Sequence, residues 1–173
     1  GRTFSYVLRE EGPRIAITQA DIRAIQLAKA ALHAGARLLM DRYGIEAPDR
    51  ITLAGAFGSH IDTIHATVLG LVPDCDPDRV TSVGNAAGAG ATIALLSGSA
   101  RQSIIEVVDR IEKIETALEP AFQDHFVDAM AIPHRTAEYP CLSTRITLPE
   151  RSTASAVGSE RSGRRRRRNG AAR

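Results

Sequence analysis

Two stretches of the chain carry the residue types best suited to holding a ligand against bare backbone. "LAGAFGSHID" (Leu53–Asp62) and "VGNAAGAGATIALLS" (Val83–Ser97) each end a short apolar run and open a helical one, with glycine at the break. At such a junction the helix N-terminus presents unpaired N–H groups and a partial positive charge to an anion or polar group. Glycine permits positive φ and removes the Cβ that would keep a ligand at a distance. The junctions lie about 30 residues apart, both at the carboxyl ends of predicted strands, where open α/β sheets place ligands. Neither is a P-loop, because no Gly-Lys-Ser/Thr follows, and neither has the dinucleotide fingerprint. Gly84, Asn85 and Gly88 are the ligand-approach candidates of the second junction. The run Ala86–Ala91 also has a reading without a ligand, as a helix face made small for close packing.

Other polar groups offer weaker chemistry. Gln26, Lys29 and His33 stand at i, i+3 and i+7 and share one helix face bordered by Ile22 and Ile25. Lys29 there points at a ligand or carboxylate, or snorkels from the edge of the core. His60, Asp62 and His65 do not fall on one helix face, so a helix N-cap at Ser59 or Asp62 is the better reading than a metal site. His125 and His134 read as isolated surface or packing residues. Cys75 and Cys141 are distant in sequence and match no zinc or iron–sulfur ligand spacing.

The elements that must position these residues alternate in type. "FSYVLREEGP" reads as the end of a strand and a turn, and "RIAI" (Arg14–Ile17) as a short apolar run. Thr18 with Asp21 three positions on predicts a helix start, and the helix runs from Gln19 to about Tyr43, with Ile22, Ile25, Leu32, Leu39 and Tyr43 inward. Gly44 is the natural stop. "RITLAGAF" predicts a strand, and Ile61 to about Leu69 a helix stopped by Gly70 and Pro73. "DRVTSVG" predicts a second strand, followed by the helix "AAGAGATIALLS". An amphipathic helix from Ser99 or Ala100 to about Arg110, a strand at "KIETAL" and a short helix at "PAFQDHFVDAM" complete the series. Strands alternating with helices indicate an α/β domain.

Composition narrows the class. The 173 residues are 43% hydrophobic but only 4% aromatic, so the core is built from Ala, Ile, Leu and Val. The net charge of +2 conceals two regions. From Arg151 onward eight arginines face Glu160 alone, a net of +7, while the remaining 14 basic and 19 acidic residues leave −5. Basic character therefore belongs to a Ser-, Gly- and Arg-rich tail, residues 143–173, too poor in apolar residues to repay ordering. The run Arg164–Arg168 lacks interleaved aromatics, which argues against specific nucleic-acid recognition. No apolar run is long enough to span a bilayer and no signal peptide opens the chain, so no membrane association and a reducing cytoplasm are expected. Opening on Gly1 without methionine, the chain is expected to be a fragment or a processed piece.

The wording of "ITQADIRAIQLAKAALHAGARLLM", "ITLAGAFGSHID", "GLVPD", "VGNAAGAGATIALLS" and "FQDHFVDAMAIPH" closely resembles the C-terminal part of the reductive activators of corrinoid-dependent enzymes. These belong to the actin-like ATPase superfamily, and the resemblance covers about Ile15 to Pro140 with the motifs in order. It implies a ribonuclease-H-like, actin-like ATPase domain over residues 1–142, present only as its C-terminal portion. It further implies that Gly55, Ala56, Phe57 and Gly58 form the adenosine-side loop, with Ala56 where relatives carry a second glycine. Gly84, Asn85 and Gly88 then open the late helix at the interdomain crossing, and Gln26 and Lys29 belong to the nucleotide set.

By the same resemblance, ATP with Mg²⁺ helps to drive an electron uphill to a corrinoid cobalt, restoring Co(I) in a corrinoid protein or corrinoid-dependent methyltransferase. The phosphate turns and Mg²⁺ ligands are expected outside this chain, as is the [2Fe–2S] domain that supplies the electron, and no resident metal is expected here. Alone, the chain is not expected to catalyse. The competing expectation is a non-catalytic module of the same fold that binds a corrinoid protein or pairs as a homodimer.

Overall fold

Chain order runs through a hairpin, a long helix and a parallel strand pair before a set of shorter helices. The computed structural model describes residues 4–148, apart from the side chains of Phe57 and Ser59. Strands β1 (Ser5–Arg9) and β2 (Ile15–Thr18) pair antiparallel around the Gly12–Pro13 turn, with a bulge between Val7 and Arg9. Helix α1 (Gln19–Tyr43) starts as its sequence requires. Asp21 N donates to Thr18 Oγ1 at 3.2 Å, and Asp21 Oδ2 accepts from Thr18 N at 2.8 Å. The Thr18 N–H and the Thr18 hydroxyl, both donating to Asp21 Oδ2, hold the Asp21 carboxyl below the usual carboxylate range. Gly44, in a left-handed conformation, ends α1.

The face that α1 buries differs from the one its large apolar residues predict. Ile22, Leu32, Leu39 and Tyr43 are exposed, whereas Lys29, Ala30, His33, Ala34, Leu38 and Met40 are buried. Ala30 and Ala34 explain the choice, since small side chains let a second helix approach closely. That helix is α6 (Pro120–Ala129), which begins with proline at its first turn and carries Phe122 and Phe126, ring centroids 6.0 Å apart.

Strands β3 (Ile51–Leu53) and β4 (Val80–Ser82) form a two-stranded parallel ribbon in the register Ile51↔Val80, Leu53↔Ser82. Two helices, not one, follow β3: α2 (Ala56–His60) and α3 (Thr63–Leu69). The break falls at Asp62, whose carboxylate caps α3 by accepting from His65 N at 2.8 Å. After β4 come α4 (Ala86–Leu96) and α5 (Gly98–Val108). Neither buries a residue, so the apolar stripe Ile104, Val107, Val108 and Ile111 faces outward. The strand expected at "KIETAL" is instead a short 3-10 turn over Thr116–Leu118, which leads into Pro120.

The segment that opens α7 (Pro140–Ser143) is tied back by Asp74, whose two carboxylate oxygens accept from Cys141 N (2.8 Å) and Leu142 N (3.0 Å). Of the tail expected from residue 143, the first part continues this structure, with Ile146 N bonded to Leu142 O and Arg145 paired with Asp78. The rest, Arg164–Arg168 included, lies outside the described residues.

Everything around α1 converges on Lys29. Its side chain is 0% exposed, and Nζ donates to the carbonyls of Ala131 and Pro133 just beyond α6. Gln26 Nε2 donates to Met130 O at 3.0 Å beside it. Gly70, which ends α3 with φ 72°, closes the third side. A Cβ at Gly70 would lie 2.0 Å from Pro133 O and 3.0 Å from Lys29 Nζ, and the left-handed backbone adds strain. Gly70→Ala should therefore destabilise the chain by about 3 kcal/mol or more, from overpacking plus strained φ. Chemical denaturation of the variant against the parent measures it, and a change within experimental error would refute this packing.

Candidate functional site

The parallel pairing of β3 and β4 sets the two glycine junctions side by side. Beyond the last strand pair, Val83 N donates to Leu53 O at 2.9 Å and Gly55 N donates to Gly84 O at 2.7 Å. The ladder thus continues past the strands into both turns. As a result, the start of α2 and the start of α4 open at the same end of the ribbon. Gly55 sits there at φ 111° and ψ 170°, a conformation L side chains rarely adopt, and an added Cβ would meet nothing within 4 Å. Bare backbone at Gly55 is therefore required by conformation and faces open space.

The neighbouring positions are engaged differently. Ala56 and Phe57 begin α2. Gly58 lies over β3, where a Cβ would stand 3.1 Å from Leu53 Cβ, so its smallness serves helix–strand packing. Asn85 caps α4 through Oδ1, which accepts from Gly88 N at 2.9 Å. Gly88 is held under that cap, 2.7 Å from Asn85 Nδ2 at the Cβ position. Gly90 faces open space. The arrangement can present the backbone of two turns and the positive end of the eleven-residue α4 to one polar or anionic ligand. Gln26 and Lys29 are not brought to this place by any contact in the structure; their donors are spent on the carbonyls after α6. Burial holds Lys29 down to about 8 from its usual 10.5.

A second polar region is one that residue spacing does not reveal. A cleft of about 710 Å³ opens between α1, α6 and the segments around Asp74 and Tyr139. His33 and His134 line it with ring centroids 4.8 Å apart, and His134 Nδ1 accepts from Thr136 N and Ala137 N. His125 Nε2 lies 2.8 Å from Asp41 Oδ2, and Arg37 pairs with the same carboxylate at 2.6 Å. His125 and His134 are therefore not isolated. Cys75 and Cys141, remote in sequence, both line this cleft as free thiols. Burial raises both thiols, with Asp74 and Asp76 adding to the effect. The one advance sign was His33, on the polar face of α1; its ring partner His134 comes from a segment about 100 residues away.

Nucleotide and cluster can be tested against these residues. The open backbone at Gly55 beside the α4 N-terminus fits the approach of a nucleotide. Two thiols held unpaired in the cleft do not supply the cysteine set of a [2Fe–2S] centre. The His60–Asp62–His65 group is resolved as a cap, with His65 Nδ1 3.0 Å from Asp62 Oδ1. Among the described residues no helix is long and apolar enough to cross a membrane.

Comparison with known proteins agrees on one family. The family described as the C-terminal domain of RACo, the ASKHA domain, matches residues 1–143. The corrinoid activation enzyme RamQ of Eubacterium limosum is 44% identical over 120 residues, which is 68% of this chain and 20% of that protein. A solved structure of a reductive activator for corrinoid,iron-sulfur protein matches with a TM-score of 0.67 at 34% identity, over 75% of this chain and 22% of that one. The chain thus spans about a fifth of the length of these relatives. The α/β, actin-like fold class expected from the sequence is the one these matches show.

The buried histidine gives the site region a pH signature. His33 is 4% exposed and is held at about 4, far below 6.5, by burial first and then by the charges of His134, Lys29 and Arg37; a hydrogen bond with the Gly70 backbone opposes them. Between pH 6.5 and about 4 the unfolded chain binds a proton at this residue that the folded chain does not. Stability from this group is complete above pH 6.5 and is lost as pH falls through that window, by at most about 1.4 kcal/mol per pH unit. Urea midpoints should fall over this range in the parent and fall less in His33→Leu. Equal slopes for the two proteins would show that His33 is not the group responsible.

Proposed function

This chain belongs to the family of the RACo C-terminal ASKHA domain, and from that premise we propose that it supplies the adenosine side of the nucleotide site in an ATP-dependent reductive activator of corrinoid proteins. The observation that carries the reading is the bonding of the two glycine turns to each other, Gly55 N to Gly84 O, at the carboxyl ends of parallel strands. Relatives named as a corrinoid activation enzyme and a reductive activator for corrinoid,iron-sulfur protein support the parent activity.

In this reading Gly55, Ala56, Phe57 and Gly58 form the loop against which the nucleoside lies, with Gly55 presenting backbone where a side chain would intrude. Gly84, Asn85 and Gly88 hold the start of α4 toward the same ligand, and the Asn85 cap fixes the first turn of that helix. Lys29 and Gln26 act at one remove, by locking α1 to the end of α6. When bound, ATP with Mg²⁺ supplies the free energy for an uphill electron transfer that restores Co(I) in a corrinoid protein or methyltransferase, the electron coming from a [2Fe–2S] domain outside this chain. The Mg²⁺ ligands and phosphate turns also belong outside it. The second reading, a non-catalytic module that binds a corrinoid protein or a second copy of itself, is favoured by the absence of any buried residue in α4.

ADP titration by calorimetry separates the two. Gly55→Val places a branched side chain in the open space at the turn, and should weaken ADP binding at least about tenfold, or 1.4 kcal/mol. Its melting temperature reports separately on the strain of a β-branched residue at φ 111°. A folded Gly55→Val protein that binds ADP as tightly as the parent would remove the adenosine loop from this turn. A parent with no ADP affinity at all would favour the binding module.

A further inference from the structure

Two segments far apart in sequence run side by side along one wall of the His33–His134 cleft, and three ties hold them in a single register. Tyr139 Oη donates to Val72 O at 3.5 Å, Cys141 N donates to Asp74 Oδ2 at 2.8 Å, and Arg145 pairs with Asp78. Each of these ties spans the same 67 residues of sequence. In that register Asp74 faces Cys141, so Cys75 stands one position from facing it. Both cysteines are free thiols and both line the cleft. Cys75 is 3% exposed, whereas Cys141, in the first turn of α7, is only partly buried. The Cys141 thiol is raised by burial first, then by Asp74 and by Cys75 itself, which puts the two sulfurs within electrostatic range of each other. A disulfide needs Cα atoms within about 7 Å, a separation that a one-position offset across hydrogen-bonded segments brings within reach.

We propose that Cys75 and Cys141 form a redox-active dithiol that closes to an internal disulfide by exchange with a small cationic aliphatic disulfide. Cys141 reacts first, because it is the more accessible of the two. Its thiolate attacks one sulfur of the small disulfide and expels the other as a thiolate, leaving a mixed disulfide on Cys141. The Cys75 thiolate then attacks Cys141 Sγ and expels the second small thiolate. Two protein thiols are oxidised, one small disulfide is reduced to two thiols, and the two protons leaving the cysteines pass to those thiolates. The preference for a cation comes from the surroundings. Burial first, then Asp76 and Asp74, raise the Cys75 thiol, and Arg79 only opposes them. A net negative setting attracts a cationic reagent and repels an anionic one. Closure staples α7 to the segment before β4 and fixes that wall of the cleft. None of this depends on nucleotide binding.

The test exposes the reduced full chain to cystamine, a cationic disulfide, at mildly alkaline pH. The parent should stay monomeric and lose two hydrogens in mass, with the tryptic peptides 51–79 and 136–145 joined to each other. Cys75→Ser should stop at a stable cystamine-derived adduct on Cys141, and folded Cys141→Ser should form neither product. Oxidised glutathione, which is anionic, should close the bond at least about tenfold more slowly. A parent that stops at the adduct on Cys141, or that joins two chains through these cysteines, would overturn the proposal. So would an internal bond that forms only in urea, because the folded register would then not bring the thiols together. Equal rates with the two reagents would overturn the preference for a cationic partner.

Discussion

A lysine with no exposure to water organises this chain. The Lys29 ammonium meets two carbonyls from the segment after α6, and Gly70 packs against it from the end of α3. Burying a charge without partners is prohibitive, so those carbonyls must be delivered to it for α1 to pack as it does. Burial draws Lys29 down to about 8, yet near neutral pH it still carries the proton that both bonds need. Two segments widely separated in sequence, the stretch after α6 and the end of α3, are thereby fixed to one helix, and small residues at Ala30 and Ala34 allow α6 to come close enough. The cleft containing His33, His134 and Tyr139 is a by-product of the same convergence. Tyr139 is nearly fully buried there, and that burial pushes its hydroxyl upward in pKa.

The ribbon that carries the glycine turns is organised by another rule. Its three-residue strands contribute little burial, with only Val80 in the core. Their ladder instead fixes the register of the turns, so that Gly55 and Gly84 meet backbone to backbone. Among the described residues, burial gathers around α1, whereas α4 and α5 keep their apolar residues exposed.

Local signals were legible in the sequence. Thr18 with Asp21 announced the start of α1, Gly44 its end, and the two glycine breaks the ends of β3 and β4, because each depends on a few adjacent residues. The inner face of α1 was not legible. Periodicity points to Ile22, Leu32 and Leu39, but the segment that packs on α1 selects Lys29, His33 and Ala34 by the bonds and space it needs. Asp62 was legible as a cap, but the same limit hid the short helix α2 (Ala56–His60) before it and the 3-10 turn at Thr116–Leu118. Cys75, His125 and Cys141 reach a common cleft only through long-range packing, which residue spacing does not encode.

In the proposed nucleotide site the two turns are halves of a single ligand site. An amide-resolved NMR titration of the isotope-labelled chain with Mg²⁺-ADP examines it directly. The account predicts shifts at residues 55–58 and 84–88 that saturate together with one dissociation constant. Shifts confined to the His33–His134 cleft, or turns that respond with different constants, would contradict it.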